Sequence, residues 1–168
     1  MKTLMLSLVV AAFAVTACDA APAVQPSAQS DNVVPIATQD SEMNAAIAAA
    51  RATLPQFEAL LADGQLADSF PKVKVGLDSD DGSVEHIWVA EPQFSGDTIH
   101  GVLDNEPALL SGRHRGDAVS FRRDQISDWS YVRDDRLFGN YTTRVMLPQL
   151  EPAQREELTA FLSETPTE

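Results

Sequence analysis

Apolar and polar positions along the middle of this chain repeat with the period of a helix and then with that of strands. From residue 43 onward, apolar side chains recur every three or four positions, which places them on one helical face. They are Met43, Ile47, Ala50, Leu54, Phe57 and Leu61. Asp40 and Ser41 are candidate N-caps, and Gly64 is expected to end the helix. Because Pro55 lies inside the pattern, we expect a kink or two abutting helices near Thr53.

Alternating segments after this helix predict strands. In FPKVKVGL, Val73, Val75 and Leu77 share one face and Lys72 and Lys74 the other, which is typical of a half-buried strand. The further strand candidates are VEHIWVAEPQF, DTIHGVLDN, DAVSFRRDQ, SDWSYVRD and NYTTRVML. DSDDGS between the first two indicates a hairpin turn, because its acids are one residue short of the calcium-loop order and no helices flank it.

The end of the chain predicts a second, short helix. Pro152 suits a first helical position, and Leu158, Phe161 and Leu162 give a small apolar face. The last residues, SETPTE, are expected to fray. The order of elements predicts an α+β domain with an N-terminal helix, a curved antiparallel sheet or small open barrel of about six strands, and a short C-terminal helix.

The N-terminal residues 1–17 have the parts of an export signal. Lys2 is followed by an apolar region, Leu4–Val15, that is too short to span a bilayer. Val15-Thr16-Ala17 then precedes Cys18, which resembles the lipobox of bacterial lipoproteins. This resemblance implies acyl chains on Cys18 that anchor the protein in a membrane. The alternative is an ordinary secretory signal with a stray free cysteine.

The segment after the signal is predicted to be a tether. Residues 18–40 contain three prolines and no aromatic residue, so they bury too little apolar surface to fold alone. Val33–Ile36 has the alternative of a short edge strand docked on the domain. Asp19 resembles an inner-membrane retention signal, which slightly favours the inner membrane. We expect one domain, residues 41–168, held on the periplasmic side of the cell envelope.

The net charge of −13 argues against a nucleic-acid partner and against broad contact with anionic lipid headgroups. Residues 113–144 are an exception, because arginines outnumber acids there. The arginines are Arg113, Arg115, Arg122, Arg123, Arg133, Arg136 and Arg144. Such a face could bind a carboxylate or phosphate. The alternative, which we favour, is pairing with nearby aspartates, which contributes little at a surface.

Short motifs occur in a fixed order between residues 43 and 147. They are Leu54-Pro55-x-Phe57, VKVGLDSDDGSVEHIWV, GVLDNEP, Gly116-Asp117-x-Val119, Ile126-x-Asp128-Trp129 and Gly139-x-Tyr141-Thr142-x-Arg144. As a set they resemble the YegJ-like bacterial domain, the domain-of-unknown-function family numbered 2314. The resemblance implies a compact α+β domain that occurs as a lipoprotein, as a soluble protein and joined to other modules. The family has no established activity, so no reaction follows from it.

The candidate catalytic residues are His86, Glu85 and Asp128. His86 and Trp88 share one strand face and Glu85 points to the other. His86 beside Trp88 could act as a general base. The alternative is a histidine bonded within the sheet and a tryptophan in the core. Asp128 could be an acid or a ligand, although an aspartate at a strand start more often accepts backbone N–H bonds.

The candidate binding residues are Trp88, Arg122, Thr142 and Arg144. If NYTTRVML is a strand, Thr142 and Arg144 face a common surface, together with Asp128 or Glu85. The three histidines are not at metal-ligand spacing and the one cysteine is assigned to the anchor, so we expect no metal and no cofactor.

These observations predict a membrane-tethered accessory or binding domain of the bacterial cell envelope with a protein partner there. One alternative is an envelope hydrolase that uses His86 with Asp128 or Glu85. Another is an inhibitor or immunity-like envelope protein.

Overall fold

The computed structural model describes residues 41–167, which fold into one antiparallel sheet and three α-helices. The helices are α1 (Ser41–Ala62), α2 (Tyr141–Met146) and α3 (Pro152–Phe161). The strands are β1 (Lys72–Asp78), β2 (Val84–Ser95), β3 (Thr98–Leu103), β4 (Ala118–Arg122), β5 (Ile126–Arg133) and β6 (Arg136–Gly139). Their order across the sheet is β4-β3-β2-β1-β5-β6. The sheet is open rather than closed into a barrel, and the predicted α+β class is confirmed.

Helix α1 turns its predicted apolar stripe toward the sheet. Its buried side chains are Met43, Ala46, Ala50, Leu54 and Phe57. One continuous helix runs through Pro55, so the alternative of two abutting helices is wrong. The proline removes one main-chain hydrogen bond, but Leu54 and Phe57 on either side of it are fixed in the core. Gly64 ends the helix as predicted, with a φ of 71° and an N–H bond to the Leu61 carbonyl oxygen (3.0 Å).

The predicted turn between β1 and β2 is confirmed. β1 and β2 pair along their whole facing length, from Lys72 opposite Ala90 to Asp78 opposite Val84. Asp81 organises the turn by accepting hydrogen bonds from the hydroxyls of Ser79 (2.5 Å) and Ser83 (2.6 Å). The two hydroxyls, together with the Ser83 N–H, lower the pKa of Asp81 to about 2.

Aromatic rings join α1 to β5 and β6. Phe57 stacks on Trp129 (5.4 Å between centroids), Trp129 on Tyr131 (5.8 Å) and Tyr131 on Phe138 (5.1 Å). The indole N–H of Trp129 also donates to the Ala50 carbonyl oxygen (3.0 Å). Aromatic pairs of this kind contribute about 0.5–1.5 kcal/mol each beyond their buried area. The position of α1 is therefore set by β5 together with α2, whose Tyr141 hydroxyl bonds Thr53 (2.8 Å).

The strand predicted over NYTTRVML is wrong. β6 lies just before this segment, and Asn140 then adopts a left-handed conformation (φ 55°) that starts α2. The Asn140 N–H donates to the Trp129 carbonyl oxygen (3.0 Å), so the chain leaves the sheet beside β5. The β-branched residues of this segment favour a strand, but β-propensity is weaker than tertiary contacts of this kind.

Residues after α3 extend the sheet past β6, so the predicted fraying of SETPTE is wrong for the described part of that segment. Leu162 forms a parallel bridge to Leu137, and the Gly139 N–H donates to the Pro166 carbonyl oxygen (2.8 Å). These bonds cover main-chain groups of β6 that would otherwise form an open edge.

Helix α3 begins at Pro152 as predicted. Only part of its predicted apolar face is covered: Leu162 is buried, Leu158 is half-buried and Phe161 is 41% exposed. The helix therefore contributes little to the main core.

Candidate functional site

A lysine, an aspartate and a threonine meet near the middle of the sheet. The register places Lys74 of β1 opposite Asp128 of β5 on one side and opposite Trp88 of β2 on the other. The Lys74 ammonium donates to Thr142 Oγ1 (3.1 Å), which in turn donates to Asp128 Oδ2 (2.7 Å). The ammonium also lies 5.2 Å from the centroid of the Trp88 ring, within cation–π range. We call these four residues the Lys74 cluster.

Asp128 accepts hydrogen bonds from main-chain N–H groups around it. Its carboxylate accepts N–H bonds from Trp129 (2.9 Å), Tyr141 (3.1 Å) and Thr142 (2.8 Å). The last two belong to the first turn of α2, whose N–H groups have no partner inside the helix. Complete burial raises the pKa of Asp128, against the effects of the Thr142 hydroxyl and the Lys74 charge. This geometry matches the structural alternative given for Asp128, the acceptor of backbone N–H bonds.

Lys74 was not among the predicted site residues. The alternation of β1 placed it on the polar face, yet only 7% of the residue is exposed. Burial lowers the pKa of Lys74, and the neighbouring Asp128 opposes this effect. Only the strand register and the unexpected helix α2 bring these groups together, and neither can be read from the alternation.

His86 bonds across β1 to the start of β5. Its Nδ1 lies 3.0 Å from the hydroxyl oxygen of Ser127. Gly76 is paired with His86 in the register, and an added Cβ there would lie 3.0 Å from Val84 Cγ1 and 3.4 Å from the His86 Cε1. Burial, and then the charges of Lys74 and Arg51, lower the pKa of His86. This lowering of the pKa favours the neutral imidazole, whose partner is a hydroxyl.

Glu85 points to the opposite face from His86, as the alternation predicts. Both carboxylate oxygens are used on the long loop between β3 and β4. Oε1 accepts from the Ala108 N–H and Oε2 from the Leu109 N–H, each at 2.8 Å. Since Glu85 is buried and its oxygens hold this loop, it does not join His86.

Arg122 and Arg144 have their hydrogen bonds outside the Lys74 cluster, although the charge of Asp128 acts on the guanidinium of Arg144. Arg144 donates to the Gly139 carbonyl oxygen (3.1 Å) and to the carbonyl and hydroxyl oxygens of Ser163 (both 2.9 Å). Arg122 forms an exposed ion pair with Asp124. Thr142 and Arg144 therefore do not share the surface that a strand would have given them.

Other arginines of residues 113–144 also have partners within the domain. Arg115 lies 3.6 Å from Asp104, and Arg123 donates to Glu58 (2.9 Å). Arg136 donates to a carbonyl oxygen of α3. Pairing with nearby aspartates, the interpretation that we favoured, is thus seen for Arg115 and Arg122. Arg123 pairs instead with a glutamate of α1, and Arg136 and Arg144 bond carbonyl oxygens.

The predicted catalytic and binding residues therefore do not form one site. Asp128, Thr142 and Trp88 meet at Lys74, His86 meets Ser127, and the remaining candidates lie elsewhere. In the Lys74 cluster an amine and a carboxylate are buried side by side with Thr142, and Trp88 is half-buried. Within residues 41–167, no three His, Cys, Asp or Glu side chains are grouped so that they could hold a metal ion.

Cys18, Asp19 and the predicted tether lie outside the described residues, so their roles remain predictions. In the described part of the chain, no helix is long and apolar enough to cross a membrane.

The fold is that of a small α+β domain, and comparisons with known proteins identify its family. Residues 40–162 match the family model described as "Uncharacterized protein conserved in bacteria (DUF2314)". The chain therefore belongs to the DUF2314 family, as the motifs predicted.

Two curated relatives were found. The chain is 32% identical over 96 residues to the uncharacterized protein YegJ of Escherichia coli K12, covering 57% of this chain and 61% of YegJ. It is 37% identical over 91 residues to a Neisseria meningitidis serogroup B protein provisionally named as an ankyrin repeat protein, covering 52% of this chain and 36% of that protein. The chain thus spans less than two thirds of each relative. No solved structure matched it.

Proposed function

We propose that this protein is a membrane-tethered accessory or binding domain of the bacterial cell envelope. The proposal rests on one observation: each candidate catalytic side chain makes hydrogen bonds that stabilise the fold, and none of them is bonded to another candidate. Glu85 holds a loop, Asp128 caps α2, and His86 bonds Ser127. A hydrolase that uses His86 with Asp128 or Glu85 would need one of these acids within hydrogen-bond reach of the imidazole.

The N-terminal pattern supports the tether. A short apolar region ends at Val15-Thr16-Ala17-Cys18, and residues 19–40 lack aromatic side chains. A flexible chain of that length extends over roughly 25 Å, which lets the domain work a short distance from the membrane.

The relative from Neisseria meningitidis supports a binding role. The matched segment is 36% of that protein, whose provisional name describes ankyrin repeats. A domain that also occurs within a longer protein suits an accessory function, because the same binding surface can serve in proteins that carry different other domains.

Anchoring is tested by feeding a bacterium that expresses the full chain an alkyne-labelled fatty acid. We expect Cys18 to be labelled and the protein to sediment with membranes, and we expect Cys18→Ser to lose both properties. Asp19→Ala is the matched control, since it keeps the cysteine and should keep the label. Equal labelling of wild type and Cys18→Ser would contradict the anchor.

Binding is tested in the native host by cross-linking intact cells and purifying the lipidated protein. A stoichiometric envelope partner, recovered equally with His86→Asn, would support a binding domain and identify its role. Recovery of no partner would contradict the binding domain and favour the hydrolase instead.

A further inference from the structure

The two edges of the sheet differ in what lies beside them. At one edge, residues after α3 cover β6, where Leu162 forms a parallel bridge to Leu137. The other edge is β4, and no strand of residues 41–167 pairs with its outer side. An open edge strand presents unpaired main-chain N–H and C=O groups. The outer side of β4 is thus a place where an extended segment can add to the sheet.

The pairing of β4 with β3 shows which main-chain groups of β4 face outward. The Arg123 N–H, just beyond β4, donates to the Asp97 carbonyl oxygen (2.9 Å). Because bonding residues alternate along an antiparallel pair, the odd-numbered residues of β4 bond β3. The N–H and C=O groups of Ala118 and Ser120 therefore point away from the sheet. Both residues are exposed, and among residues 41–167 no hydrogen bond outside the β3–β4 ladder uses either N–H.

The free part of this edge centres on Ser120. The next outward N–H along β4, that of Arg122, already donates to the side-chain oxygen of Gln125 (2.8 Å). The Ser120 hydroxyl lies 2.8 Å from the His100 Nδ1 of β3, so this side chain turns toward the sheet and leaves the edge open. A segment of three or four residues is therefore long enough to bond the open groups.

The chain before α1 approaches the Arg122 end of this edge. Asn44 and Arg51 of α1 line a cleft of about 610 Å³ together with Arg122. When extended, residues 36–41 can span at most about 18 Å. Val33–Ile36 lies outside the described residues, and its valines and isoleucine favour a strand. This segment is therefore within reach of β4.

We propose that Val33–Ile36 adds a strand parallel to β4, with Pro35 opposite Ser120. In a parallel pair, one residue bonds the two neighbours of the residue opposite to it. The Ser120 N–H then donates to the Val34 carbonyl oxygen, and the Ser120 carbonyl oxygen accepts from the Ile36 N–H. Pro35 has no N–H and lies where none is needed, which is how an edge strand accommodates a proline.

The same register places the apolar side chains of the segment against the core. Because side chains alternate along a strand, Pro35 lies on the exposed face of β4, and Val34 and Ile36 lie on the face of the buried Val119 and Phe121. An antiparallel strand with Pro35 in its allowed position would turn both apolar side chains to solvent. The parallel direction also follows from the chain, because the later end of the segment and the later end of β4 are both near α1.

Native-state hydrogen exchange of the full chain, purified from its host, tests the added strand through the Ser120 amide. We expect this amide to exchange within about tenfold of the rate of the Val119 amide, which bonds β3. Ile36→Pro removes the N–H that donates to Ser120, so the Ser120 amide should exchange at least tenfold faster. Val33→Pro is the matched control: the Val33 N–H points away from β4, and the wild-type rate should persist.

Fast exchange of the Ser120 amide in wild type would overturn the proposal, because the edge would then be open. Slow exchange that Ile36→Pro leaves unchanged would also overturn it and would assign the edge to another occupant, such as a second copy of the chain. Equal acceleration by Val33→Pro and Ile36→Pro would contradict the register. The proposal goes beyond the proposed function, and since these rates are measured without a partner, its failure leaves the labelling and cross-linking tests unaffected.

Discussion

Gly139, at the end of β6, is a residue for which the fold accepts no side chain. Its φ is 71°, and a Cβ there would overlap the Trp129 carbonyl oxygen. We expect Gly139→Ala to lower the free energy of unfolding by about 3 kcal/mol or more, because it adds a main-chain clash to a strained conformation. Urea unfolding measures this.

Gly64→Ala is the control for that prediction. Gly64 has the same φ of 71°, but a Cβ there would have no neighbour within 4 Å. The alanine should lower the free energy of unfolding by only about 1–2 kcal/mol, because it must adopt the left-handed conformation but meets no other atom. Equal losses at Gly64 and Gly139 would contradict the role given to the Trp129 carbonyl.

Asp128 and Lys74 should be energetically coupled. Asp128→Asn leaves a buried ammonium without its neighbouring carboxylate, so we expect a loss of about 3 kcal/mol or more in the free energy of unfolding. Lys74→Met removes that ammonium. The double variant should therefore be more stable than the two single losses predict, by about 1 kcal/mol or more. Strict additivity of the losses would disprove the coupling.

Part of the arrangement around this pair could be predicted from the sequence. The faces of Glu85 and His86 followed from alternation, because successive strand residues point to opposite sides. The burial of Lys74 did not follow, since it depends on Asp128, which lies far along the chain, and on a helix that was predicted as a strand.

Most of the sheet could be predicted from the sequence. β1 to β5 lie in the predicted segments, because their alternation and turn residues are local signals. The wrong prediction concerns the segment after β6. β6 pairs only with residues 130–133 of β5. Beside the earlier residues of β5, Asn140 turns the chain out of the sheet, and Asp128 accepts hydrogen bonds from the first N–H groups of α2. A helix as short as α2 depends on such contacts and not on helix propensity.

The C-terminal segment beside β6 depends on Arg144, which contacts Ser163 through two nitrogens. We expect Arg144→Ala to release this segment. The amides of Gly139 and Ser163, which donate to carbonyl oxygens across this edge, should then exchange hydrogen at least tenfold faster. Native-state hydrogen exchange measures the rates.

The Val132 amide is an internal control for that measurement. It donates to the Ser69 carbonyl oxygen (2.7 Å), away from the C-terminal segment, and should keep its exchange rate. Faster exchange at all three amides would indicate global destabilisation instead. Unchanged rates at Gly139 would show that Arg144 does not hold the segment.

For the whole molecule, one core joins α1 to the sheet, so we expect a single cooperative unfolding transition. The two tryptophans report on different environments: Trp129 is in the aromatic stack and Trp88 is half-buried near Lys74. Tryptophan fluorescence and far-ultraviolet circular dichroism should give the same midpoint in urea. Separate midpoints would show that α1 or the sheet unfolds independently.

The contacts of α1 with β5 and α2 join segments that are synthesised at different times. The Trp129 indole reaches Ala50 across 79 positions, and Thr53 bonds Tyr141 across 88. At a synthesis rate of about 5–20 residues per second, α1 waits roughly 4–16 s for the strand on which it packs. Its apolar stripe is exposed for that interval. The unfolded chain therefore exposes an apolar surface that the finished domain buries.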